Sequence, residues 1–131
     1  MAYAFSQLKP NVYHIADPLG VFMTLVVGEE KALLLDTGYG LDNLPETVAQ
    51  IADLPVILVN SHGHLDHVLG NRFFDEAYLH PADWQLYQQH TTQERKTGHR
   101  QHAKRSAGTF SGRFFACGLP GGIQNKNANR C

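Results

Sequence analysis

Cysteine is scarce in this chain of 131 residues. The two present, Cys117 and Cys131, lie in a Gly- and Asn-rich stretch that fixes no separation between them. A disulfide framework of the kind that staples small secreted domains is therefore excluded as the organising device, and both residues read as incidental thiols. Long apolar runs are missing too, and none approaches the ~20 residues that a membrane span needs. The N-terminus MAYAFSQLKPNVYHIAD has no basic segment followed by a long apolar core, so the expectation is a cytoplasmic protein without a secretory signal. Acid is absent from one whole region: no Asp or Glu follows Glu94.

That last absence exposes an imbalance hidden by a formal net charge of −1. Residues 1–94 carry all twelve acids against only Lys9, Lys31 and Arg72, a net −9, whereas residues 95–131 carry eight cations, a net +8. Such an asymmetry between two stretches of one chain asks for an explanation. With 43% hydrophobic and 18% charged residues, the whole has the composition of one ordinary globular domain. The expected division is a folded unit over 1–94 and a basic, aperiodic tail over 95–131, read as disordered or as the product of a shifted frame beginning near residues 95–106.

What is present in residues 1–94 reads as layered α/β. NVYHIA, GVFMTLVV and KALLLD are rich in β-branched and apolar residues and read as strands, with Gly28-Glu29-Glu30 reversing the chain between the last two. Asp36-Thr37-Gly38-Tyr39-Gly40 then breaks the strand. From Pro45 to Leu54 the apolar positions fall at helical spacing, with Pro45 and Glu46 suited to a first turn. PVILV is short, continuous and apolar, the pattern of a strand buried on both faces. Strand, crossover helix, strand makes a βαβ unit, and ligand sites in such folds gather beyond the C-terminal ends of the strands. A short helix stopping near Gly70-Asn71, a strand at AYLH and a helix opened by Pro81, with Trp84 and Tyr87 on its inner face, complete the expectation.

NSHGHLDH sits at that C-terminal end, directly after PVILV. In an extended segment His62 and His64 would point to one side and could place two imidazole nitrogens ~2.1 Å from one Zn²⁺. Asp66 and His67 follow as the backbone turns. Four ligands so close in sequence strain around a single tetrahedral ion, so a second ion held by Asp66 and His67 is the more natural arrangement. Imidazole with carboxylate suits zinc, and iron or manganese as well. At this composition the pattern His-x-His-x-Asp-His arises by chance in roughly one chain per several hundred to a thousand. The remaining histidines carry less: His14 and His80 read as structural or surface residues, and His90, His99 and His102 as surface residues.

His62-x-His64-x-Asp66-His67 after an apolar strand, preceded by LLLDTG, resembles the N-terminal half of the metallo-β-lactamase-fold hydrolases over residues ~10–90. The resemblance implies an αββα sandwich of which only the first half is present. It implies that His62 and His64 hold a first metal and Asp66 and His67 a second, with Asp66 also orienting an attacking water. It places Asp36 behind the ligands, holding an imidazole or the loop by hydrogen bonds, a role that ligating histidines need filled; a turn-forming aspartate is the plainer alternative. The implied activity is hydrolysis by a zinc-activated water of a small-molecule ester, thioester, lactone, amide or phosphodiester.

The sequence departs from that family downstream. Complete members add a histidine, a bridging aspartate and a last histidine from a second half, and here the final aspartate is Asp83. Glu94 comes too early to substitute, and Thr97-Gly98-His99 is only a faint match to the downstream histidine turn. One sheet of a sandwich leaves an apolar face uncovered, which predicts self-association through it. Two other classes of function stay open: a metal-binding remnant without turnover, and a nucleic-acid-binding module using the basic tail and Phe110, Phe114 and Phe115. The last is the weakest, because a charged tail is most often simply solvated.

Overall fold

A computed structural model describes residues 2–97 and 113–115, with side chains placed over 2–91. The chain opens as an antiparallel meander: β1 (Ala4–Lys9), β2 (Val12–Ala16), β3 (Phe22–Val27) and β4 (Ala32–Leu35), each paired with the next. Gly28 donates its N–H to the carbonyl of Lys31 at 2.9 Å, closing the β3–β4 reversal that the polar Gly-Glu-Glu step predicts. β1 was not legible as a strand. Its AFSQLK sequence is exposed along its whole length and pairs only with β2, so it carries none of the alternation that burial imposes.

Helix α1 (Leu44–Ile51) then crosses over, and β5 (Val56–Val59) returns parallel to β4 with Leu33 opposite Ile57 and Leu35 opposite Val59. This is the βαβ unit expected from the sequence, with Pro45 in the first turn of a helix that ends three residues earlier than the periodicity suggests. At that end Ala52 turns extended while its N–H still bonds the carbonyl of Val48. A single turn α2 (Leu65–Val68) and a 3-10 segment Leu69–Phe73 follow. β6 (Glu76–Tyr78) adds a further parallel strand, helix α3 (Trp84–Thr97) runs on from a 3-10 turn at Pro81–Asp83, and β7 (Arg113–Phe115) pairs parallel with β6. The strands form one seven-stranded sheet in sequence order. Of the basic stretch 95–131, only residues 95–97 in α3 and β7 fall among the described residues, so the expected tail and the Cys117 and Cys131 thiols lie outside them.

The two faces of the sheet differ sharply. On one, Ile15, Met23, Leu25, Leu34 and Leu58 are buried with Leu44 and Val48 of α1, and Trp84 and Tyr87 of α3 pack against the same cluster. Tyr3 joins this core; its hydroxyl donates to the carbonyl of Asp42 at 3.3 Å, and burial pushes its pKa up. On the other face Phe22 is 59% exposed, and Val26, Leu33, Leu35 and Ile57 between 37% and 39%. Cross-strand pairing makes these residues contiguous, Val26 beside Leu33 beside Ile57. An α/β sheet of this kind normally buries both faces; among the described residues, helices pack on one face only. Among the described residues no helix is long and apolar enough to cross a membrane.

Candidate metal centre

The site begins at the ends of β4 and β5, which lie side by side. Asp36, the first residue past β4, adopts a left-handed backbone with φ 66°, and donates its N–H to the carbonyl of Val59 at 2.9 Å. That turn aims the carboxylate across to the next strand's loop. Oδ1 accepts the Ser61 N–H at 2.7 Å, and Oδ2 accepts the Ser61 hydroxyl at 2.6 Å and meets His67 Nδ1 at 2.9 Å. With 5% of its surface exposed, Asp36 is a buried carboxylate whose side-chain partners are Ser61 and His67. Pairing Nδ1 with the carboxylate turns Nε2 of His67 outward, the disposition a ligating imidazole needs.

Beneath the loop lies a buried polar knot. The carbonyl of His67 accepts from the Thr37 N–H at 3.0 Å, the Thr37 hydroxyl at 3.1 Å and the Asn60 side-chain amide at 3.1 Å. Asn71, fully buried, accepts from Thr37 and Asn60 through Oδ1 at 2.8 and 3.1 Å, and donates to Asn60 Oδ1 at 2.7 Å. No buried side-chain nitrogen or oxygen among the described residues lacks a hydrogen-bond partner, which is what burial of polar groups requires. Gly70 allows this closeness: a Cβ there would run into the carbonyl oxygen of Thr37. Thus the backbone of His67 is fixed from three sides before any metal is considered.

Above it the imidazoles gather. Between β5 and α2 the backbone is a succession of bends rather than the extended segment expected, and the bend itself brings the rings together. His62 and His64 meet edge-on with ring centres 4.8 Å apart, and His62 and His67 are 4.1 Å apart. His62 Nδ1 lies 2.8 Å from the Ser61 hydroxyl, and Asp66 Oδ2 lies 3.3 Å from His67 Nε2. A fourth ring belongs to His90 of α3, 4.9 Å from His64. The sequence reading placed His90 on the surface; its signal was the step of three that carries Trp84 and Tyr87 on to residue 90 along the inner side of α3. Ser61, Thr37, Asn60 and Asn71 were also missed, because nothing in a sequence marks which amides a fold will bury. His14 stacks at 5.5 Å on Phe22 in the strands, and His80 accepts the Ala82 N–H at 3.2 Å as a helix cap, both away from this cluster.

Four imidazoles, those of His62, His64, His67 and His90, and the two carboxylates beside His67 are of the donor types that a divalent transition metal takes. Among the described residues, though, no three His, Cys, Asp or Glu side chains are arranged as a closed metal site. The reason is visible in the contacts: the rings pack on one another and Asp66 pairs with His67 Nε2, so the donors satisfy each other rather than a common point.

A sequence profile described as the metallo-beta-lactamase superfamily matches residues 16–89, more than half of the chain, and the chain belongs to that superfamily. Solved structures that resemble it include DIM-1 metallo-beta-lactamase exposed to ceftazidime, at 15% identity and a TM-score of 0.57 over 68% of this chain and 48% of that one. A metallo-beta-lactamase from Hirschia baltica is similar at 18% identity and a TM-score of 0.56, again over 68% and 48%. One from Erythrobacter litoralis, with beta mercaptoethanol in its active site, reaches 21% identity and 0.57 over 68% and 46%. No curated protein matches the chain. The chain thus spans about half the length of the solved structures it resembles, and the shared part is the mixed sheet with its helices.

Proposed function

We propose that the chain is a metal-dependent hydrolase, or the metal-holding half of one, acting on a small-molecule ester, thioester, lactone, amide or phosphodiester. The observation that carries this is the gathering of His62, His64 and His67 at the ends of two parallel strands, with His67 oriented by a buried carboxylate. His62, His64, Asp66 and His67 would hold zinc, with iron or manganese as alternatives, and the metal would supply a nucleophilic water at neutral pH. Asp66, 37% exposed at its side chain, is the one acid of the cluster within reach of a substrate's water, and its part is to orient that water and accept its proton. Asp36 holds His67 and Ser61 and takes no part in the proton transfer.

One observation favours a second reading, a metal-binding remnant without turnover. No three His, Cys, Asp or Glu side chains are grouped so as to hold a metal ion among the described residues. A catalytic zinc ordinarily keeps three protein ligands and one open position. Metal content of the purified chain, measured beside a panel of ester and thioester substrates with and without chelator, separates the two. Chelator-sensitive hydrolysis supports the enzyme; stoichiometric metal without hydrolysis supports the remnant; no metal uptake overturns both.

A further inference from the structure

We propose that Ser61 is a positioning residue that fixes the tautomer of His62, holding the proton on Nδ1 and leaving the lone pair on Nε2. The inference deepens the metal-binding reading above, but it concerns the chain free of metal and rests on that reading only for the use to which Nε2 is put.

One hydroxyl proton has to serve two neighbours. Asp36 holds Ser61 with both carboxylate oxygens: Oδ1 accepts the Ser61 N–H at 2.7 Å, and Oδ2 accepts the Ser61 hydroxyl at 2.6 Å. The second distance is that of a charge-assisted bond from a hydroxyl to a carboxylate, shorter than an ordinary hydroxyl contact. Two oxygens come this close only with a proton between them, and serine has one to give. The same Oγ lies 2.8 Å from His62 Nδ1. With its proton on the carboxylate side, Oγ can meet that nitrogen only as an acceptor, so the N–H belongs to His62 Nδ1. A neutral imidazole carries a single proton, which leaves Nε2 as the nitrogen able to take a proton or a cation.

The arrangement is held from behind. Asp36 is 5% exposed, its backbone is turned by a φ of 66°, and its N–H is bonded to the carbonyl of Val59, so the carboxylate that clamps Ser61 is itself fixed. Ser61 is gripped through backbone and hydroxyl together, which keeps Oγ beside the imidazole. One buried acid thereby reaches two rings, His67 directly and His62 through Ser61, and these rings lie 4.1 Å apart. His67 meets a carboxylate at each ring nitrogen, Asp36 at 2.9 Å and Asp66 at 3.3 Å, so its protons are not fixed in the same way.

The test is nitrogen-15 NMR of the full chain labelled at histidine, freed of metal with chelator and held at about pH 8.5, where imidazoles are neutral. Two-bond proton–nitrogen correlations distinguish a ring nitrogen that carries a proton from one that does not, and the pattern lost in His62→Gln assigns the ring. In the wild type His62 should show a protonated Nδ1 and a bare Nε2. Ser61→Ala removes the acceptor but keeps the backbone N–H to Asp36; the proton is then free to move to Nε2, and the two His62 shifts should draw together or exchange while those of His67 stay. Ser61→Thr returns a hydroxyl and should return the wild-type pattern. A bare Nδ1 on His62 in the wild type overturns the inference without recourse to any variant of Ser61, and so does a wild-type pattern in folded Ser61→Ala. Neither result touches the metal-binding reading, which metal uptake decides.

Discussion

Replacing Asp36 tests the structural logic of the site independently of any metal. Its carboxylate is 5% exposed and takes three hydrogen bonds, from Ser61 N–H, Ser61 Oγ and His67 Nδ1, at 2.7, 2.6 and 2.9 Å. A hydrogen bond to a charged group contributes about 1.5–3 kcal/mol net. Ser61 is exposed and His67 only half-buried, so water recovers part of each loss, and about 3 kcal/mol is the working figure for Asp36→Ala. The backbone adds a second effect. With φ at 66°, alanine costs about 1 kcal/mol more than glycine. Asp36→Gly should therefore be the milder variant although it too loses every hydrogen bond, and Asp36→Asn, at home in this conformation and still an acceptor, should lose only about 1–2 kcal/mol. Urea unfolding measures all three; with a slope near 1 kcal/mol per molar, Asp36→Ala should lower the midpoint by about 3–4 M. An alanine variant within about 1 kcal/mol of wild type, or a glycine variant less stable than the alanine one, would refute the reasoning.

Three further outcomes follow from other parts of the molecule. Asn71→Ala strands two buried partners, Thr37 and Asn60, and should cost about 2–4 kcal/mol in urea unfolding; a loss under about 1 kcal/mol would mean the knot is not holding the loop. Gly63→Ala inserts a methyl against backbone on α3, which has no rotamer to yield, and should cost about 1–3 kcal/mol while weakening cobalt binding though no ligand has changed. Wild-type stability and wild-type affinity together would sink that account. Leu33→Lys places a charge in the centre of the bare sheet face. If that face drives self-association, as we propose, sedimentation should show a mass that rises with concentration for the wild type and stays monomeric for the variant, whereas identical profiles would dismiss the idea.

Periodicity and turn chemistry carried most of the framework, since β2 to β5 and α1 each bury one face and so write their pattern into the sequence, although β5, expected to be buried on both faces, leaves Ile57 38% exposed. The exposed edge strand β1 has no such obligation, and only the Pro10-Asn11 turn beside it hinted at a hairpin. The gathering of His62, His64 and His67 was legible because histidines at that spacing are rare by chance. The long-range partners were not, because contacts such as Asn71 with Asn60 and His90 with His64 depend on how two segments cross, not on either alone. His90 shows the cost of judging a residue by polarity: it follows two inner-face aromatics at the same step, and that step outweighs the hydrophilic character of its neighbours.

The alignment of β4 with β5 carries a consequence for any ion the proposed site would hold. Asp36 and Ser61 emerge together only because Leu35 stands opposite Val59, and those two strands are joined by a 20-residue crossover. Until β5 docks on β4, the histidines and the carboxylate that anchors them would be held together only through that crossover. A cation held by the finished site would therefore be selective for the folded state, and it would raise the unfolding free energy by RT ln(1 + [L]/Kd), about 2.7 kcal/mol at a hundredfold excess over Kd.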